Sequence, residues 1–214
     1  MSGASGQWDN HYTRERSALH YPDENLVRML KPWKDSRGDE NLSLLDLGCG
    51  SGRHIALAHD LGFESVTGSD IARNGLEIAK EFGAALVCAD SRDLPFRDSS
   101  FDAVVSWGSL HYGPKADLPV MISEILRILN DRGALFGTLR SSRDTMMKKG
   151  THLGNNEWRT SLDDIGGSIV SFYTEDELKS ALSPFPRYSY GLIERTPLGN
   201  TGTVISHWYF RADR

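Results

Sequence analysis

The chain has little of what would mark it as specialised. It holds only two cysteines in 214 residues, too few for a disulfide framework. Its longest apolar runs are a few residues, against the roughly 20 that a membrane helix requires. Basic residues are not in excess: 24 Lys and Arg stand against 29 Asp and Glu, for a net charge of −5. A protein that holds a phosphate backbone normally carries a basic face, so nucleic acid is a disfavoured partner. No internal repeat, low-complexity tract or Pro/Ser-rich linker divides the chain. The opening MSGASGQWDN has no positive residue and no apolar stretch, so it reads as a floppy start and not as a secretory signal. The seven histidines are scattered, and His54 and His59 lie five apart on an expected helix, not the four that would place both on one face. A Gly-x-Ser-x-Gly elbow and a Walker loop are both missing. No metal site is expected.

What is there is an ordinary globular composition, 39% apolar and 25% charged, in a chain long enough for one full core. Short apolar runs alternate with helical patterns, the mark of βαβ units and a parallel sheet. Strands are expected at Ser43 to Leu47, Ser65 to Ser69, Ala85 to Ala89, Ala103 to Ser106 and Ala134 to Leu139, each apolar enough to be covered on both faces. Cys49 and Cys88 adjoin these runs and are expected to be reduced, packed thiols, as in a cytoplasmic protein.

The clearest helix carries Leu118, Met121, Ile122, Ile125, Leu126 and Leu129 on one stripe, with Asp117 as its cap and Asn130 to Gly133 as its end. Further helices are expected over Arg53 to Leu61 and over Ala72 to Phe82, with a helical lead near Asn25 to Leu30. Thr174 and Glu177 have capping-box spacing ahead of a short helix. Tyr188 to Glu194 and Thr203 to Arg211 then form two extended runs around a turn, an antiparallel hairpin. One domain over residues 1–214 is expected: a lead at 1–40 that can act as a lid, a core at 41–140, a substrate-side insertion at 141–170, and a helix with the hairpin at 171–214.

Leu44 to His54 read LLDLGCGSGRH, a buried strand running into Gly48, Gly50 and Gly52 and then a helix. Such glycines let the backbone turn sharply and approach a ligand while leaving amides free. A dinucleotide fingerprint needs glycine where Arg53 stands. Asp70 ends the second strand, 18 residues after Gly52, where a carboxylate meets a ribose diol. Asp90 and Ser91 follow the third strand, in ALVCADSRDLPF, and the fourth ends in FDAVVSWGSLHY. Asp70 and Asp90 have a simpler reading as caps of the segments after them.

Through these ordered motifs, from Asn41 to Leu139, the sequence resembles the class I, seven-stranded S-adenosylmethionine-dependent methyltransferases, in their branch of mostly small-molecule enzymes. The resemblance implies an α/β, Rossmann-like three-layer sandwich: a mostly parallel seven-stranded sheet with a C-terminal antiparallel hairpin. It implies S-adenosylmethionine as cofactor and S-adenosylhomocysteine as product. The loop Gly48, Cys49, Gly50, Gly52 would cradle the methionine part, Asp46 would anchor its amino end, and Arg53 would reach its carboxylate. Asp70 would take both ribose hydroxyls, Ile71 would pack on adenine, and Asp90 with Ser91 would address the adenine edge. Ser106 would line the site near the sulfonium.

Methyl transfer is an in-line displacement that positioning alone can drive. Where an acceptor must lose a proton, His111 is the candidate base, its rival role being a pocket wall. Trp107, Tyr112 and Tyr12 offer aromatic faces to a sulfonium. Arg140, with the HLGNNEW run beyond it, marks the substrate side. The expected protein is a cytoplasmic methyltransferase acting on O, N or C of a small molecule, monomeric or weakly dimeric, with no membrane partner. Its rivals are an NAD(P)-dependent oxidoreductase, a non-catalytic sensor or partner subunit that binds S-adenosylmethionine, and a nucleic-acid methyltransferase.

Overall fold

Successive residues of a strand point to opposite faces, and the central strands use both. In β1 (Ser43–Leu47), Leu44 packs into one buried cluster while Leu45 and Leu47 pack into another. In β4 (Phe101–Ser106) and β5 (Leu129–Arg140), Ala103, Val105, Ala134 and Phe136 face the first cluster, whereas Val104, Leu135 and Leu139 face the second. Helices α2 (Glu24–Asp35), α3 (Arg53–Asp60) and α4 (Arg73–Ala79) cover the first face. Helices α5 (Leu118–Ile128) and α6 (Glu175–Leu182) cover the second. The result is the expected three-layer sandwich.

In this computed structural model the described residues are 3–14, 19–38, 41–163 and 165–214. Strands β2 (Ser65–Asp70) and β3 (Ala85–Cys88) precede β4, and β9 (Arg187–Arg195) and β10 (Ile205–Asp213) end the chain. The seven-stranded sheet runs β3-β2-β1-β4-β5-β10-β9. Its first five strands are parallel, and β10 is antiparallel to both β5 and β9. The chain crosses over between β1 and β4, so the carboxyl ends of β1, β2 and β4 border a crevice where open α/β sheets hold ligands. No helix among the described residues is long and apolar enough to cross a membrane.

Several local expectations are corrected. Gly3–His11 of the expected floppy start form a helix, α1, while Met1 and Ser2 lie outside the described residues. Asp117 does not cap α5; its backbone is already helical, ending a 3-10 turn, and its carboxylate pairs with Arg92 at 3.1 Å. The same helix stops at Ile128, because Leu129 turns extended and starts β5. Helix α4 ends at Ala79, and a 3-10 turn carries the chain to Phe82. β3 is an edge strand with partly exposed residues, and Cys88 at its end is exposed, whereas Cys49 is buried as expected.

The insertion after β5 holds more structure than a polar connection. Strands β6 (Gly150–Gly154), β7 (Glu157–Thr160) and β8 (Ile169–Ser171) form a small antiparallel sheet. Asn155 and Asn156 join β6 to β7, with φ of 49° and 55°. Positive φ at both positions is the two-residue turn that suits a twisted hairpin, and Asn tolerates it. This sheet is anchored where β4 ends: Gly113 N–H donates to Ile169 O at 2.9 Å and Ser171 N–H to His111 O at 2.9 Å. Met147, Ile165, Val170 and Phe172 form its own core, against which Trp8 of α1 and Tyr112 pack.

Candidate active site

The glycine loop leaves β1 and is stitched to the end of β2. Gly48 and Cys49 both donate to Ser69 O, at 2.7 and 3.0 Å, and Gly52 donates to Cys49 O at 2.9 Å. Gly50 N–H donates to Asp70 Oδ2 and Ala72 N–H to Asp70 Oδ1, each at 2.8 Å. The loop amides are therefore engaged within the fold, not free for a ligand, and the loop contributes shape. Gly48 needs its positive φ of 76°, and any Cβ there would collide with the Ser109 side chain.

Above the loop lies a cavity of about 340 Å³. Of the candidate residues, Gly48, Asp70, Ile71, Asp90, Ser91, Tyr12 and Tyr112 line it, joined by Trp8, Ser109, Arg92 and Asp117. Tyr12 lies across the loop, its hydroxyl where a Cβ on Gly50 would fall and its ring against Gly75. Helix α1 is held there by Asp9, whose carboxylate and carbonyl accept the Asn74 backbone and side-chain amides at 3.0 Å. Burial beside Asp70 and Cys49 raises the Tyr12 hydroxyl far above its ordinary value, so the phenol stays neutral.

The carboxylates dominate the electrostatics. Asp70 is nearly buried, and desolvation raises its pKa against the lowering effect of the backbone N–H donors. Asp90 is held below its usual value by Arg92, which donates to both of its oxygens at 2.9 and 2.6 Å and reaches Asp117 as well. Two carboxylates, Asp90 and Asp117, thus share one guanidinium at the cavity, and Asp70 is a third carboxylate in its lining. Arg92 and Ser109 were not legible in advance; Arg92 is one of several scattered arginines, and Ser109 enters because the chain turns back over Gly48.

Other expected residues stand behind the wall. Asp46 is buried beneath the loop with no hydrogen-bond partner on either oxygen among the described residues, and burial pushes its pKa up to about 7. Cys49 packs towards Gly68, and Gly52 against Phe82 and Ala79. Arg53 donates to Tyr21 O at 3.2 Å, holding the segment before α2. Ser106 is buried, donating to Leu47 O at 3.2 Å and sharing a 2.6 Å bond with Ser109, so Ser109 takes the cavity position assigned to Ser106. Trp107 belongs to the core. Arg140 is buried in an ion pair with Asp144 at 2.6 Å. His111 does not line the cavity: it is fully buried behind Tyr112, ring centroids 4.5 Å apart, and desolvation drives its pKa well below the ordinary value.

A mostly parallel sheet with this strand order, a glycine loop after β1 and an acidic residue ending β2 define the class I, S-adenosylmethionine-dependent methyltransferase fold. Residues 44–133 match the family model described as a methyltransferase domain. It is 29% identical over 184 residues to the sterol 4-C-methyltransferase strm-1 of Caenorhabditis elegans, which covers 81% of this chain and 52% of that protein. It is 36% identical over 142 residues to a demethylmenaquinone methyltransferase of Staphylococcus aureus, covering 63% of this chain and 57% of the relative. The chain thus spans about half the length of these curated relatives. Among solved structures, a SAM-dependent methyltransferase from Methanosarcina mazei superposes with a TM-score of 0.67 at 23% identity, covering 86% of this chain and 97% of that one.

Proposed function

We propose that the chain is an S-adenosylmethionine-dependent methyltransferase that transfers a methyl group to O, N or C of a small-molecule acceptor, working in the cytoplasm as a monomer or weak homodimer. The observation that carries this reading is the acidic cavity over the glycine loop, lined by Asp70, Asp90 and Asp117 with one Arg92 and the rings of Trp8, Tyr12 and Tyr112. A net negative, aromatic-walled cleft suits a sulfonium cation. The residues present fit that group. Each Asp70 oxygen accepts one backbone N–H, which leaves lone pairs for two ribose hydroxyls, and the Ser69 hydroxyl beside it has no partner of its own among the described residues.

Bound there, S-adenosylmethionine would supply an electrophilic methyl group to an electron pair of the acceptor, with S-adenosylhomocysteine as the leaving product. The chain's own part is positional. Asp70 and Ile71 hold the nucleoside end, Ser91 meets the adenine edge, and Gly48 allows close approach. Asp90 is less suited to adenine than expected, because Arg92 occupies both of its oxygens. Tyr12 and Tyr112 orient the reactants and exclude water, and holding two reactants in line is worth up to about 7–11 kcal/mol. His111, shut behind Tyr112, serves as packing in this reading and not as a base.

The names of the sterol and demethylmenaquinone relatives support a small-molecule acceptor. The acidic balance of the chain supports the same choice over nucleic acid. Calorimetric titration with S-adenosylmethionine, S-adenosylhomocysteine and NAD tests the reading. Micromolar binding of the two adenosyl sulfur ligands alone is expected, and binding of NAD alone would overturn it.

A further inference from the structure

The cavity over the glycine loop adjoins a second one of about 300 Å³, and Trp8, Tyr112, Gly113 and Pro114 line both. The Trp8 and Tyr112 rings meet edge to face with centroids 4.6 Å apart, and the two side chains stand at the junction of the cavities. Charge changes sign across it. On the first side carboxylates prevail; on the second, Arg159 of β7 is the one charged side chain among the described lining residues. Its guanidinium makes a single long bond, Nη1 to Gly167 O at 3.3 Å, and its other donors have no partner among the described residues. Gln7 and Ser168 stand beside it, joined at 3.0 Å, and add a polar rim opposite the two rings.

We propose that this second cavity is the acceptor site, and that the acceptor is a small aromatic acid, its ring on the Trp8–Tyr112 wall and its anionic group on Arg159. The proposal rests on the methyltransferase reading. A cavity lined by two aromatic rings and a guanidinium fork whose donors are largely unpaired has the chemistry that selects an aromatic carboxylate, since Arg binds carboxylates through paired, charge-assisted bonds. The placement also puts a negative molecule next to the cavity suited to a cation, so the two reactants attract each other where the cavities meet. α1 and the insertion build this site together: Gln7 and Trp8 come from the former, Arg159 and Ser168 from the latter. That accounts for a small sheet with its own core fastened over the end of β4.

The test uses the full chain in the presence of saturating S-adenosylhomocysteine, with benzoate and phenylacetate as probes and benzamide as the neutral counterpart. Binding is followed by tryptophan fluorescence, Trp8 being part of the wall, and by saturation-transfer NMR. The acids are expected to bind at least tenfold more tightly than benzamide. Arg159→Gln should abolish that preference, Arg159→Lys should keep part of it, and the distant Arg97→Gln should leave it intact. Affinity for S-adenosylhomocysteine, read by calorimetry, should be the same in all of these proteins. Equal binding of benzoate and benzamide, no binding of either acid, or an Arg159→Gln protein that holds benzoate as the parent does, would each overturn the proposal. Failure of S-adenosylhomocysteine to bind the parent protein would instead overturn the methyltransferase reading, which separates the two.

Discussion

Asp70 joins the end of β2 to the glycine loop through one oxygen, accepting Gly50 N–H at 2.8 Å, while its other oxygen accepts Ala72 N–H at the same distance. One side chain therefore shapes the loop, caps the turn into α4 and faces the cavity. Asp70→Asn can keep one of these bonds, but its amide nitrogen must then oppose a buried N–H. The variant is expected to lose about 1–3 kcal/mol of stability from that mismatch. It should also lose about 2–4 kcal/mol of S-adenosylhomocysteine affinity, as charge-assisted bonds to the ribose go. Urea unfolding and calorimetry measure the two losses separately. Unchanged affinity in a folded variant would remove Asp70 from the ribose.

Asp46 lies buried among leucines, neither oxygen having a hydrogen-bond partner in the described residues, and its pKa is pushed up to about 7. His54 Nδ1 is 3.8 Å away and neutral, its own pKa driven down by burial and by Arg53. Between pH 4 and 7 the folded chain holds a proton at Asp46 that the unfolded chain has released, so this residue subtracts stability as pH rises through that window. Asp46→Asn removes the titration. Relative to the parent, the variant should gain stability on going from pH 5 to pH 8, by about 2.5 kcal/mol. Parallel urea titrations at the two values check this, and a constant difference between the proteins would mean that Asp46 titrates normally.

Thr174 and Glu177 close a reciprocal box at the start of α6, with the Glu177 carboxylate accepting Thr174 N–H at 2.8 Å and the Thr174 hydroxyl accepting Glu177 N–H at 3.3 Å. Leu178 and Leu182 of this helix are fully buried against the sheet. Loss of the cap is therefore transmitted to the main core. Thr174→Ala should cost about 1 kcal/mol in urea unfolding with no change in S-adenosylhomocysteine affinity. A change in affinity would mean that α6 communicates with the site.

The sheet and its helices were legible because periodicity reports burial, and burial dominates in β1, β4, β5 and α5. The hairpin of β9 and β10 was legible from its turn residues, and so was the capping box. The small sheet of the insertion was not anticipated, although Asn155 and Asn156, two adjacent residues that tolerate positive φ, are a hairpin signal in their own right. Among candidate site residues, those at strand ends that face the crevice, Asp70, Ile71, Asp90 and Ser91, line the cavity. Asp46, Ser106 and His111 carried the right chemistry at the right distance along the chain. Yet which way a side chain points is set by the pleat and by the turn at Ser109, and spacing does not encode that.

The last prediction concerns acid. His54, His111 and His207 are buried, and each has its pKa driven down by desolvation, His207 to about 3. Arg140 adds to the effect at His111 and His207, whose rings lie 5.7 Å apart. Below the ordinary histidine value the unfolded chain binds protons that the folded chain refuses, so each histidine removes about 1.4 kcal/mol of stability per pH unit as pH falls below 6.5. Asp46 returns a similar amount over part of that range. The net effect is a loss of stability as pH falls below 6.5, because three histidines act against one carboxyl. His207→Gln should reduce the slope by about 1.4 kcal/mol per pH unit while leaving stability at pH 8 within about 1–2 kcal/mol of the parent. Urea titrations at pH 7.5, 6.5 and 5.5 measure the slope directly. An unaltered slope in His207→Gln would show that His207 takes up its proton in the folded chain, with Arg140 shifting away to admit it.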